Sequence, residues 1–171
     1  MSGDDFGAMF LNLFGNLYSD SAPRPDSISI GGVYGRHEGV SFRRMHFHGD
    51  FTVAFPAPLD EITFVIPTAG KIVFNHVTES VGFAQIGLAI DKAEVHSARF
   101  SDNHAQHGIS ISRALITERL SMLLGKPILQ KVCFEPVVDL SVPALQGIKA
   151  LVDMATGTEF DLLINTGSLM P

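Results

Sequence analysis

Between Ile28 and Ser112 the chain is a succession of short apolar runs, each stopped by Gly, Pro, Asp or Asn: ISIGGVYG, GVSFRRMHFHG, FTVAFPA, DEITFVIP, GKIVFNHV, SVGFAQIGLAI, EVHSARF and HGISIS. Several alternate with a period of two, the signature of strands with one buried face. Ile62, Phe64 and Ile66 share one face of their run, and Ile72 and Phe74 share one face of the next. The PTAGK segment between those two runs reads as a turn of hairpin type. No helical pattern interrupts the series. Residues 28–112 are therefore expected to form an antiparallel sandwich or barrel of the jelly-roll kind.

After Ser112 the period changes to that of a helix. In SRALITERLSMLLGKP, Ser112 is a candidate N-cap and Gly125 a stop, with Pro127 beyond it where no helix can continue. Leu115, Ile116, Leu120, Leu123 and Leu124 are expected along one side. ILQKVCFEPVVDL reads as an extended connector. SVPALQGIKALVDMA then reads as a second amphipathic helix, with Ser141 as cap, Pro143 near the first turn, and Leu145, Ile148, Leu151 and Val152 stacked together. TGTEFDLLINTGSLMP reads as the start of a third helix. At the other end, Phe6, Met9, Phe10, Leu13, Phe14 and Leu17 follow helical spacing, and SDSAPRPDS (19–27) breaks it. The expected organisation is an amphipathic helix over 1–18, a linker over 19–27, the barrel over 28–112 and a helical dimerisation or connector region over 113–171. The fold class is mainly β, a barrel followed by two or three C-terminal α-helices (α+β).

Charge narrows the function. Eighteen acidic residues against 12 basic ones give a formal net charge of −6, whereas DNA binding draws most of its affinity from neutralising phosphates. The single cysteine, Cys133, cannot form an internal disulfide and fits a reducing compartment. No run approaches the ~18 apolar residues of a membrane span, and the acidic start MSGDDFGAMF lacks the basic region of a secretory signal. A cytoplasmic protein without membrane partners is expected.

His46 and His48 lie two apart in RRMHFHGD, so on a strand they project from the same face. With Gly39 before them and His96 later, the pattern is similar to the metal-binding members of the cupin fold. That similarity allows a metal-dependent enzyme using His46, His48 and His96. The departures are substantial: no Glu follows at the expected place, Asp50 is too close and Asp60 too distant, and no Pro and Gly make a tight turn ahead of His96. With seven histidines in the chain, including the further pair His104 and His107, strand or pocket-lining histidines are the favoured reading. No metal or other cofactor, and no enzymatic activity, is expected.

A more specific resemblance lies in HGISISRALITERLSMLLGKPILQKVCFEPVVDL (107–140). A last strand running into Ser-Arg and a helix, the LLG-x-P stop at Leu123–Pro127 and the F-x-P…DL turn at Phe134–Leu140 resemble, in order, the cupin-related N-terminal domain of AraC/XylS-type transcriptional regulators. DEITFVIPTAGKIVF is similar to that domain's hairpin. SVGFAQIGLAIDKAEVHSARF resembles its next segment, with Ile86-Gly87 in place of a Pro-Gly turn. The likeness spans about 28–155. It implies an effector-sensing and dimerisation domain, with DNA read only by a separate C-terminal helix-turn-helix domain absent from this chain. A homodimer and an unknown small-molecule effector are the expected partners. Residues put forward for the ligand pocket are His46, His48, Phe64, Phe74 and His96. Those put forward for the dimer surface are Phe10, Phe14, Ile116, Leu120, Leu123 and Leu151. A dimerisation module without any effector remains the other alternative.

Overall fold

The computed structural model describes residues 17–18, 28–55 and 58–156. The strands are β1 (Leu17–Tyr18), β2 (Ser29–His37), β3 (Val40–His48), β4 (Phe51–Ala54), β5 (Glu61–Ala69), β6 (Lys71–Asn75), β7 (Glu79–Phe83), β8 (Ile86–Asp91), β9 (Ser97–Phe100), β10 (His104–Ser112) and β11 (Val137–Asp139). Two helices follow the main strand run, α1 (Arg113–Leu124) and α2 (Pro143–Ala155). The expected 1–18 helix and 19–27 linker, with Phe10 and Phe14, lie outside the described residues, apart from Leu17 and Tyr18, which pair with Val53 and Thr52 of β4. A third helix after residue 156 also lies outside them.

All the pairings are antiparallel, in the order β1-β4-β9-β6-β7-β8-β5-β10-β3-β2, with β11 added to β8. The sheet curls into a half-barrel around its apolar face. Met45, Phe47, Phe51, Val53, Val65, Ile72, Phe74, Leu88, Ile90, Ala98 and Phe100 fill the inside. At its centre the Phe47 and Phe51 rings lie 4.5 and 5.0 Å from that of Phe100. A smaller cluster, Ile66, Leu140 and Val152, lies on the other face of β5 and fastens α2 there.

Local chemistry explains the corners. The β2–β3 hairpin turns in two residues, because His37 pairs with Val40 and both Glu38 and Gly39 have positive φ, 43° and 82°. Ser112 caps α1 by accepting a hydrogen bond from Leu115 N, and Gly125 ends it in the left-handed region at φ 64°, as the sequence suggests.

Three local readings are corrected. PTAGK is not a hairpin: β5 pairs with β10 and β8, while β6 pairs with β7 and β9. The chain turns a corner at Gly70 (φ 65°), where a Cβ would lie 2.8 Å from His104 Cα, and Lys71 is then held by Ser101, whose Oγ accepts from its amide and whose N–H donates to its carbonyl. SVGFAQIGLAI is two strands, turned at Ala84–Gln85 with Gln85 at φ 71°, so Ile86-Gly87 opens β8 instead of making the turn. The cap of α2 is Val142, without a side-chain hydrogen bond; the amide of Ser141 donates instead to Asp139 Oδ1.

Candidate functional site

The alternation of β3 decides what the barrel interior contains. Ser41, Arg43, Met45 and Phe47 are buried, while His46 and His48 are exposed on the outer face. Arg43 is 4% exposed, and its Nη1 donates to Ser110 Oγ at 2.8 Å, which lies 2.7 Å from Thr63 Oγ1. Its cross-strand partner is Gly108, where an added Cβ would come within 2.9 Å of Arg43 Nε. The missing side chain is what lets a guanidinium lie flat inside the barrel. Burial lowers the Arg43 pKa to about 10.

A second cation reaches the same place from the turn between β8 and β9. Lys92 is also 4% exposed, with Nζ 3.9 Å from the centre of the Phe55 ring. Burial, followed by repulsion from Arg43, lowers its pKa to about 7. Arg43, Lys92 and Gln106 line one interior cavity with Met45, Val53, Phe55, Phe74 and Phe100. Its volume is ≈ 20 Å³, room for about one water. His104, fully buried against Phe47 and Phe100, lies 3.0 Å through Nε2 from Gln106 Oε1. Burial holds its pKa below the ordinary histidine value.

The opposite face of β5 and β8 carries a different site. Phe64, Ile66, Gly87 and Ala89 form one wall of a cleft of ≈ 380 Å³, and Phe134, Val137, Leu140, Val142, Leu145 and Ile148 form the other. Its described charged lining residues are Glu135 and Asp139. The connector is pinned by Ala89 N donating to Pro136 O and Leu140 N to Gln85 O, both at 2.9 Å. α2 is held by Val152, by His107 Nδ1 at 2.8 Å from Asp153 Oδ1, and by Arg44 donating to Thr156 O at 3.0 Å.

The residues proposed from sequence are dispersed. Phe74 is inside the barrel and Phe64 lines the outer cleft, its ring 5.5 Å from Phe134 and edge-on to it. His46 folds across Gly31 on the outer surface, and His48 Nδ1 lies 2.8 Å from Asn103 Oδ1. Their rings are 6.3 Å apart, and His96 is exposed on the approach to β9. No group of three or more His, Cys, Asp or Glu among the described residues is placed to hold a metal ion. The trio His46, His48 and His96 does not fit one: two are outside the barrel wall, and no acidic ligand joins them. Ile116 and Leu120 are half-buried beside Val40, Phe42 and Ile111, whereas Leu123 and Leu151 are 81% and 62% exposed. The apolar residues of α1 therefore surround it more evenly than one side allows, and none of the helix is buried.

Sequence reasoning missed Arg43, Lys92 and Gln106. The available signal was Gly108 in the middle of a nine-residue strand, since an interior glycine marks close approach of another group.

No protein-family model matches the chain, and no curated protein does. Solved structures do resemble it. The AraC-like transcriptional activator CuxR superposes with a TM-score of 0.55 at 9% identity, over 68% of this chain and 45% of CuxR. The chain thus spans less than half of CuxR's length. The cupin domain of Schizosaccharomyces pombe Cnp3 gives 0.44 at 9% identity, over 67% of this chain and 77% of that domain. A cupin superfamily protein from Desulfitobacterium hafniense gives 0.42 at 11%, covering 53% and 82%. Among the described residues no helix is long and apolar enough to cross a membrane. The described residues form a curled antiparallel half-barrel followed by two helices, and over 68% of its length the chain shares its fold with an AraC-like activator.

Proposed function

We propose that this chain is the effector-sensing and dimerisation domain of a transcription regulator of the AraC type, acting without catalysis. DNA would be read by a separate helix-turn-helix domain. The observation that carries the sensing role is the pair Arg43 and Lys92, each 4% exposed and both facing one interior cavity. Placing two like charges in a low-dielectric interior is costly even with the attraction of Glu61 for both, and such groups concentrate where a ligand is recognised. A small carboxylate or other compact anion is attracted to both, while the apolar side chains of Phe55, Phe74 and Phe100 border its apolar part. An anion larger than one water must displace part of the wall. That displacement is the differential interaction by which an effector shifts a two-state regulator. Homodimerisation is supported by the apolar side chains left exposed on α1 and α2, Leu123 and Leu151 among them.

The test is a thermal-shift titration of the whole chain at pH 6.5 with acetate, benzoate and phosphate. At a hundred times its Kd a ligand stabilises by about 2.7 kcal/mol, a rise in Tm of several degrees. At least one anion should give it, and Lys92→Met and Arg43→Met should each abolish it. Affinity should fall as pH rises through about 7, where Lys92 gives up its proton. A wild-type protein indifferent to all three anions, or variants that respond as well as wild type, would overturn the sensing role.

A further inference from the structure

The walls of the ≈ 380 Å³ outer cleft come from two parts of the molecule: the outer face of β5 and β8, and the segment that leads into α2. Leu140 and Val152 anchor the segment to Ile66 at the margin. Between these anchors the walls stay apart. An apolar cleft of this size leaves both walls short of dispersion contacts, and releasing water from them favours an apolar occupant. Its volume falls within the range of about 300–1,000 Å³ typical of small-molecule sites.

The lining also selects charge. Among the described residues no Lys, Arg or His borders the cleft, and its two charged residues are Glu135 and Asp139. Asp139 stays ionised, because hydrogen bonds from Ser141 hold its carboxyl below the ordinary value. An anion is repelled there and an amine attracted. Phe64 and Phe134, edge to face with centroids 5.5 Å apart, present both ring edge and ring face to an aromatic guest.

We infer that the cleft between the barrel's outer face and the α2 connector is a second binding site, for an apolar, preferably aromatic small molecule that is neutral or carries an amine. It is independent of the interior site. The two lie on opposite faces of β5, whose Thr63 contacts the interior network while Phe64 lines the cleft, and their fixed charges have opposite sign. A molecule bridging the walls fastens the connector and α2 to the barrel. Occupancy of the cleft thereby reports to the C-terminal side of the domain.

The probe is N-phenyl-1-naphthylamine, a neutral dye whose fluorescence rises in apolar surroundings, titrated into the full chain. 2-Naphthylmethylamine and 2-naphthoate serve as competitors of opposite charge. Saturable dye binding is expected, with the amine competing at least tenfold better than the carboxylate. Phe134→Ala removes the aromatic wall, and Ile148→Glu places a charge at a position 42% exposed, so folding should survive both. Each should weaken the dye at least tenfold, while Val77→Glu, in the β6–β7 turn, outside the cleft lining and 90% exposed, should leave it unchanged. Hydrogen exchange of the α2 amides should slow on binding. Non-saturable fluorescence, or wild-type affinity in both cleft variants, overturns the inference. So does binding in which naphthoate is preferred and Arg43→Met abolishes it, which would place the dye in the barrel instead.

Discussion

Two glycines show how much a single missing Cβ decides at the residue scale. Gly31 and Gly108 stand opposite His46 and Arg43 in neighbouring ladders, one on the outside of the barrel and one within it. At Gly31 a Cβ would come within 2.2 Å of the His46 ring, and at Gly108 within 2.9 Å of the Arg43 side chain. His46 is exposed and can swing away. Arg43 is buried and bonded to Ser110, so it cannot. Gly108→Ala is therefore expected to destabilise the protein by about 1–3 kcal/mol, the usual range for overpacking, measured by urea unfolding. The loss should shrink in the Arg43→Met background, where the opposing group is flexible and uncharged. Lys92 makes a pH prediction. Its proton leaves the folded protein near pH 7 and the unfolded chain near 10.5, so the unfolded state holds more protons between those values and wild-type stability rises with pH across that window. Lys92→Met lacks this dependence. Its stability gain over wild type should be largest below pH 7 and should diminish towards pH 10.5 in a series of chemical melts. Little of this was legible beforehand. In SFRRMHFH both parities carry an arginine and a phenylalanine, so the side-chain alternation alone leaves the inward face open.

At the scale of elements, the helices depend on a few anchors. α2 buries Val152 alone, and the remainder of its apolar face is cleft wall or exposed surface. Val152→Ala should cost about 1.5–3 kcal/mol at most, the worth of burying such a side chain, and should speed hydrogen exchange in α2 before any change in the barrel strands. The start of α1 is clasped differently. Arg113 lies 2.7 Å from Asp60 and 2.6 Å from Asp91, and Asp91 also meets Lys131 of the connector at 2.8 Å. Burial pushes the Asp91 carboxyl up, but hydrogen bonds from Lys131, Ala93 N and Arg113 outweigh it and hold the pKa below 3.8. A carboxyl with a depressed native pKa stabilises the fold above its unfolded value, and that contribution disappears as pH falls through the native one. Asp91→Asn should accordingly lower stability at pH 7, by the roughly 1.5–3 kcal/mol of hydrogen bonds to a charged group, and flatten the decline below pH 4. The α1 boundaries were legible, since Ser112 and Gly125 act through local backbone chemistry. The β5–β6 corner and the Ala84–Gln85 turn were not: Gly70 and Gln85 occupy left-handed backbone whose consequence depends on which distant strand receives the next segment.

Taken whole, the described residues leave apolar side chains exposed at and beyond the end of α1 and on α2. Met122, Leu123, Leu124 and Leu129 beside Gly125, and Leu151 and Met154 on α2, are all at least 59% exposed. Large apolar side chains exposed on the surface in this way mark association sites. Sedimentation should find a dimer at micromolar concentration, and Leu123→Asp combined with Leu151→Asp should give a monomer. Because both residues are exposed, the unfolding free energy of that monomer at low concentration should match that of the diluted wild-type chain within about 0.5 kcal/mol per site; an unaltered dimer would place the interface elsewhere.

The antiparallel β architecture, the change of period at Ser112, the capping of α1 and the acidic net charge all follow from the residues read in order, because periodicity, capping and net charge are local or additive properties. Strand order, the inward face of β3 and the meeting of Arg43 with Lys92 were decided only by the fold. Each depends on ladders joining residues far apart in the chain, such as β3 with β10 and β5 with β8. A one-residue change of register in any of them would exchange interior for surface. The histidine pair is the clearest case: its side-by-side projection was written in the sequence, but the curl of the sheet turned it towards solvent and brought an arginine from the same strand inside.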